Sequence, residues 1–506
     1  MNRKQCNVWN FLFLFLFGFS FLTRAQEPTI LTLDDAINIA MAESYDMRLL
    51  RLRIIRAREG LTAARGKFRT QAYMNFDLPE YSKELTSVQQ TYGFSVYNTR
   101  GTRRYQGNFY LVQPLPTNGS ITLKSSAYHL SESFLTSNNA DTTTNRVSTS
   151  INLEFTQPLF TINSLKYGLK RAQLNFESTQ KSSSRYELNL KYNVTSGFYT
   201  LYQATRQFEI AESEAKQQEE AYKLATRKYE AGLIPEVEVL QIEVDFAESQ
   251  NKRLEAAANL KEQEDEFKQL IGLELDQKIA VRTDFSYTLF EIDSVKALNA
   301  ALKYRSEIRE NEINLELAKM GVKEAESDGE ISGDLTAFYN FSGISSDNLI
   351  DDSAGNLWNS SISDLKNRPR NKGVVFSLTV PLWDWGVNKA EVQAAKVDVQ
   401  TAEYDLLEIK KTITREIRAV INQVKESANR LEVLKKSDAL AQRSYEINTK
   451  RFENGDITSQ DLALDQQRLT SAKQAYLNAF ITYKLAIADL TRKTMYDFEK
   501  NVSLAE

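Results

Sequence analysis

Few residues of this chain could do chemistry. Two adjacent acid pairs, Asp34-Asp35 and Asp351-Asp352, are the types a general acid–base couple needs, and His129 is the only histidine. The first pair falls in the opening turn of an expected helix, where carboxylates favour the helix dipole. The second falls in a polar loop. One histidine cannot build a multi-histidine metal site, and Cys6 is the only thiol. No enzyme chemistry and no cofactor or metal are therefore expected. The spacing that does recur is that of a helix break. "YEAGLIPEVEVL" (Tyr229 to Leu240) and "FENGDITSQDLAL" (Phe452 to Leu464) interrupt long helical patterns, and Gly232 and Gly455 lie 223 residues apart.

Residues 1–25 combine a basic start (Arg3, Lys4), the apolar run "FLFLFLFGFSFL" and Ala25, the features of a secretory signal peptide. The run is short of the roughly 20 residues of a spanning helix. Cys6 precedes it and so cannot be a lipid-modified first residue. Removing the segment takes the formal charge from −4 to −7. Such a balance argues against nucleic acid as a partner.

The 223-residue offset also carries "FTQPLF" (Phe155 to Phe160) onto "LTVPLW" (Leu378 to Trp383), with Pro158 on Pro381. The chain thus contains two copies of one unit. In the second, Ile413, Ile417, Val420, Val424, Ser427, Leu431 and Leu434 keep heptad spacing. The same seam recurs in the first copy at Leu190, Val194, Gly197, Leu201, Ala204, Phe208 and Ala211.

The elements that hold the breaks follow. Phe160 to Ala231 predicts one helix of 72 residues, roughly 108 Å at about 1.5 Å per residue. A shorter helix returns over Glu236 to Leu270. The helix that opens the copy, Leu33 to about Thr70, supplies the other half of the length, capped by Thr32 with Asp35 three positions on. The second copy predicts helices over Val295 to Ser327, Asp384 to Glu453 and Ser459 to Phe498. Gly232 and Gly455 then mark the far tip of a rod, where Gly permits the left-handed conformation that ends a helix and Pro235 suits the next start. Thr458, at the equivalent of Pro235, is a candidate cap. The expected division is a signal peptide over 1–25, a first repeat over 26–271, a mid-rod, strand-containing linker over 272–293 and a second repeat over 294–506.

Alternation in "AYMNFDL", "STSINLEFTQPLF", "DLTAFYNFSG" and "GVVFSLTVPLW" predicts strands. Several approach the 9–11 residues of a tilted membrane-crossing strand. Phe160, Tyr167, Trp383 and Trp385, at the strand-to-helix junctions, suit a lipid interface. The interval between strands is 79 residues in copy one (Phe76 to Phe155) but 37 in copy two (Phe341 to Leu378). The excess contains "QPLPTNGSITL", with a tight-turn signal at Asn118-Gly119. It predicts an extra hairpin, which either enlarges a barrel or projects as a loop. "SNNADTTTNR" and "NSSISDLKNRPRNKG" suggest outward-facing loops. Four to six strands per chain are fewer than the roughly eight of the smallest membrane barrels. An open edge is not viable in lipid, so the barrel must be shared between chains. Four strands from each of three chains would make twelve.

Two copies of helix, strand pair, Pro-Leu-aromatic junction, long helix and a tip motif with an acid six residues after its Gly (Glu238, Asp461) resemble the TolC-like outer-membrane efflux protein family over the whole mature chain. The resemblance implies a mostly α fold with a membrane β-barrel portion. In a homotrimer the copies would form an α-helical barrel across the periplasm and a shared barrel in outer-membrane lipid. It further implies a passive exit duct whose tips, Gly232, Leu233, Ile234, Pro235 and Gly455, Asp456, Ile457, Thr458, dock a periplasmic adaptor serving an inner-membrane pump. Asp461 matches the family's lumen-facing acid, with Glu238 its counterpart, Phe452 near the closing contacts and Asp465 beside the place of a second acid. Ile457 stands where the best-known members have a basic residue. Asp461 has an alternative reading as the acid of a helix start capped by Thr458. The alternative for the whole protein is a secreted coiled-coil structural or surface scaffold, which leaves the strand regions unexplained.

Overall fold

The computed structural model describes residues 29–88, 96–135, 141–282, 287–345, 354–454 and 456–504. The expected signal peptide, Asp351-Asp352 and Gly455 lie outside them. In chain order the elements are β1 (Thr29–Leu31), α1 (Leu33–Glu43), α2 (Tyr45–Gly66), β2 (Gln71–Val88), β3 (Val96–Pro114), β4 (Ser120–Leu135), β5 (Asp141–Leu159), α3 (Ser164–Glu230), α4 (Glu236–Ile271) and β6 (Ile279–Val281). There follow α5 (Ser294–Tyr304), α6 (Ser306–Asp328), β7 (Ser332–Ile344), α7 (Ala354–Asn367), β8 (Asn371–Thr379), α8 (Val387–Asn454), α9 (Ser459–Thr494), β9 (Tyr496–Asp497) and β10 (Val502–Ser503). The fold is mostly helical and duplicated, as the sequence predicts. No described helix is long and apolar enough to cross a membrane.

The chain divides into two units, one comprising Met1–Tyr45, Leu190–Thr288 and Ala428–Leu485. Its core is the heptad seam. Leu190, Val194, Leu201 and Ala204 are buried, and a side chain at Gly197 would run into Leu270 and Phe267 of α4. Phe198 meets Phe267, and Tyr199 meets Phe480, in edge-to-face contacts at 6.2 and 6.3 Å. Thr32 caps α1, its hydroxyl accepting from Asp35 N–H at 3.3 Å while the Asp35 carboxylate accepts from Thr32 N–H at 3.2 Å. The expected strand of the linker is β6, paired in parallel with β1.

The opening helix of each copy is broken, against expectation, at Ser44 and at Arg305. Neither break has a Gly or Pro of its own. At Ser44 the cause is tertiary: Gly272, left-handed at φ 84°, lies so close to Glu43 O and Ser44 N that a side chain there would collide with both. Arg305 turns its guanidinium into a half-buried cluster, bonding Glu307 at 2.6 Å and Glu416 at 2.7 Å.

The other unit comprises Asp46–Asn189, Leu289–Ser427 and Ala486–Glu506. Ile413, Ile417, Val420 and Val424 of α8 are buried in it. Its sheet is a six-stranded antiparallel meander of order β2-β3-β4-β5-β7-β8. The predicted extra hairpin is β3–β4, and it is part of this sheet. Two predicted loops are structured instead. Residues 141–146 of "SNNADTTTNR" continue β5, and 359–367 of "NSSISDLKNRPRNKG" are helical in α7. Their polar side chains have partners that sequence does not reveal: Ser361 Oγ donates to Gly343 O at 3.1 Å, and Asp364 accepts from Ile344 N–H at 2.8 Å.

The faces of the sheet are chemically distinct. Register aligns Leu111, Leu123, Leu153 and Tyr339 across β3, β4, β5 and β7, and Ile121, Phe155, Ala337 and Val374 across β4, β5, β7 and β8. The intervening rows, on the opposite face, read Asn75, Asn108, Ser126, Ser150, Ser342 and Lys124, Asn152, Asn340, Asn371. Val374 on the apolar face is 71% exposed, whereas Asn108 on the polar face is 6% exposed. Neither face is uniform, since Val147 on the apolar face is buried and Asn75 and Asn371 on the polar face are exposed.

Candidate functional site

The recurrent helix breaks form two turns within one unit. At the first, α3 ends in a left-handed Gly232 (φ 71°), with Leu233 N–H reaching back to Lys228 O and Gly232 N–H to Tyr229 O, both at 2.8 Å. These bonds satisfy carbonyls that the helix end leaves open. Pro235 takes the N-cap position of α4 with φ −78° and ψ 157°. Its ring supplies no cap bond, and Glu236 and Glu238 stand in the positive first turn.

The second turn repeats the first bond, Asp456 N–H to Arg451 O at 2.8 Å. It differs at the next helix start. Thr458 N–H and hydroxyl donate to the Asp461 carboxylate at 3.2 and 2.8 Å, and Asp461 N–H donates to Thr458 Oγ1 at 3.3 Å. This is a capping box of the same form as Thr32–Asp35. The Thr458 hydroxyl, then its N–H, hold the Asp461 carboxyl below the usual carboxylate range. Asp461 is therefore a cap and also an exposed, persistently charged group.

Lys228, Leu233, Ile234, Glu238, Phe452, Ile457 and Thr458 line a cleft of about 440 Å³ between the turns. Four of the eight predicted tip residues, Leu233, Ile234, Ile457 and Thr458, thus come together with Glu238 and Phe452. Lys228, which its sequence context does not single out, places Nζ 4.5 Å from the centre of the Phe452 ring. Asp461 does not line the cleft. Asp465 is 6% exposed, its carboxylate accepting from Asn448 and from Ser444 at 3.4 Å on α8, and from Arg468 at 3.1 Å. It is a packed, hydrogen-bonded group rather than a free charge. The missed partner was legible in principle: Asn448 and Asp465 lie equally far before and after the turn, where antiparallel helices face each other.

The junction prolines belong to the other unit. Pro158 closes β5 opposite Asp334, and Phe160 follows with φ 62°. Pro381 lies just past β8, before the exposed pair Trp383 and Trp385, whose rings are 4.9 Å apart. Asp384 accepts from Gly386 and Asn388 N–H at 2.8 and 2.9 Å and so starts α8.

Among the described residues no cluster of three or more acids, histidines or cysteines is placed to hold a metal. No curated protein matches the sequence. The Campylobacter jejuni CmeC outer membrane channel is similar in structure at 16% identity and TM-score 0.67, covering 94% of this chain and 87% of that one. The Vibrio cholerae outer membrane protein VceC aligns at 14% identity and TM-score 0.65, with 91% and 95% covered. The open-state Neisseria gonorrhoeae MtrE outer membrane channel gives 15% identity, TM-score 0.63, and 91% and 88%. The sequence itself matches the family described as outer membrane efflux protein over residues 118–273 and 297–493. Those two segments span most of the sequence, one in each copy, and the chain belongs to the outer membrane efflux protein family.

Proposed function

We propose that three copies of this chain enclose one passive duct through the outer membrane, which a periplasmic adaptor joins to an inner-membrane pump. The observation that carries this reading is the two-faced sheet, with Leu153, Tyr339 and Val374 exposed on its apolar face and Asn108 buried on its polar face. That is the pattern of a barrel wall between lipid and a wet lumen. Six strands cannot close a membrane barrel alone, and among the described residues β2 and β8 each leave an edge without a partner. Further copies supply the missing wall. Repeats over 26–271 and 294–506, linked by 272–293, carry the helices into the periplasm.

The two turns are the surface we assign to the adaptor. Leu233 is 72% exposed at the first turn, an apolar side chain that a partner would cover. Asp461, repeated three times around the duct, would favour cations, with Glu238 its counterpart at the first turn and Phe452 near the closing contacts. Asp465 supports this ring by fixing α9 against α8.

Membrane extraction followed by planar-bilayer recording tests the reading. The protein resists salt and carbonate, needs detergent, and then conducts. Release by carbonate without any conductance would overturn it and return the scaffold alternative.

A further inference from the structure

We propose that the hairpin β3–β4 is part of the membrane wall, so that each chain supplies six strands and three chains close an eighteen-stranded barrel. The inference rests on the trimeric duct proposed above and changes its dimensions.

Three observations carry it. First, the hairpin is inserted into the sheet and not laid upon it. β3 pairs with β2 from Gln71↔Val112 to Val88↔Val96, and β4 pairs with β5 from Ser120↔Thr156 to Leu135↔Asp141. Both hairpin strands thus stand between β2 and β5 in the sheet.

Second, the hairpin keeps the two-faced pattern of its neighbours. Leu111, Leu123 and Ile121 share the apolar face with Leu153, Phe155 and Val374. Lys124 and Ser126 share the polar face with Asn152 and Ser150. A plug inside the lumen would be wetted on both faces, leaving the hairpin leucines in water. The strands are 19 and 16 residues long, more than the roughly 9–11 that cross a bilayer.

Third, the hairpin turn is tied to the strand-to-helix junction. The Asn118 side chain accepts from Leu165 N–H at 3.4 Å and from Ser164 Oγ at 2.7 Å at the start of α3, and Asn163 Nδ2 donates to Pro116 O at 2.7 Å. The short turn therefore sits at the level where the neighbouring strands end.

Closure is consistent in direction. β2 and β8, the first and last strands of an alternating meander, run antiparallel, so β2 of one chain can pair with β8 of the next. At about 4.8 Å between strands and a tilt of about 40°, eighteen strands give a backbone diameter of about 36 Å against about 24 Å for twelve. The lumen cross-section roughly doubles.

Spin labels on single cysteines in a Cys6→Ser background test this on the full chain in bilayers, by collision with oxygen in lipid and a nickel chelate in water. Labels at Leu111→Cys and Leu123→Cys should be as lipid-accessible as those at Leu153→Cys and Val374→Cys, and the label at Ser126→Cys should meet the chelate. Leu111 and Leu123 in water, with Leu153 and Val374 still in lipid, would remove the hairpin from the wall and leave the duct intact. All four in water would overturn the wall itself. Two hairpin positions keep the test decisive if one variant fails to insert.

Discussion

The Asn448 side-chain amide donates to the Asp465 carboxylate across α8 and α9. The corresponding positions 223 residues earlier are Ala225 and Ile242, both buried. One turn is thus closed by a polar tie in the layer where the other is closed by apolar side chains. Asp465→Ala leaves the Asn448 amide without its acceptor, at a cost of about 1–3 kcal/mol. Hydrogen exchange at the end of α8 should accelerate accordingly. Asn448→Ala with Asp465→Ile, which transplants the first copy's pair, should restore protection. Unchanged exchange in Asp465→Ala would show that the tie contributes nothing.

Asp461 caps α9, and the proposed duct gives its charge a second, separable role. Hydrogen bonds from Thr458 depress its folded pKa, so the cap is fully present above the ordinary carboxylate range near about 4 and is lost as pH falls through the lower folded value. Cation selectivity of the open pore should stay flat from neutral pH to about 5 and decline only below about 4. Asp461→Asn removes the charge and should abolish selectivity at every pH. If reversal potentials are the same in that variant, Asp461 is a cap alone.

At Gly232 nothing lies within 4 Å of an added side chain, so only the left-handed backbone resists substitution. Gly232→Ala should therefore cost about 1–2 kcal/mol, and Gly232→Asn less. Thermal unfolding in detergent reads the order. Equal stability of the two variants would contradict it.

Arg305 joins Glu307 and Glu416 in a cavity also lined by Arg185 and Arg492. Arg305→Met leaves two half-buried carboxylates without this cation and should destabilise by about 3–5 kcal/mol. Glu416→Gln, which leaves Glu307 paired, should cost less. Denaturant midpoints measure both.

Much of this was legible because it rests on local chemistry. The heptad seam, the long helices, the Gly232 reversal, the Thr458 cap and the alternating strands each follow from spacing within one element. What was not legible depends on residues far apart in the chain. Ser44 breaks a helix because Gly272 approaches it, and Ser361 and Asp364 build a helix from a loop-like sequence because β7 supplies their partners. The partner of Asp465 is legible only from the symmetry of the turn, since Asn448 lies 17 residues earlier on another helix. The extra hairpin was visible in the sequence, but whether it joined the sheet required strand register.

The number of chains in one detergent-solubilised particle tests the central claim most directly, and native mass spectrometry reads it. The shared barrel predicts three copies, with no folded single-chain species under conditions that preserve conductance. A conducting particle of one chain would contradict it, because six strands would then have closed a membrane pore alone.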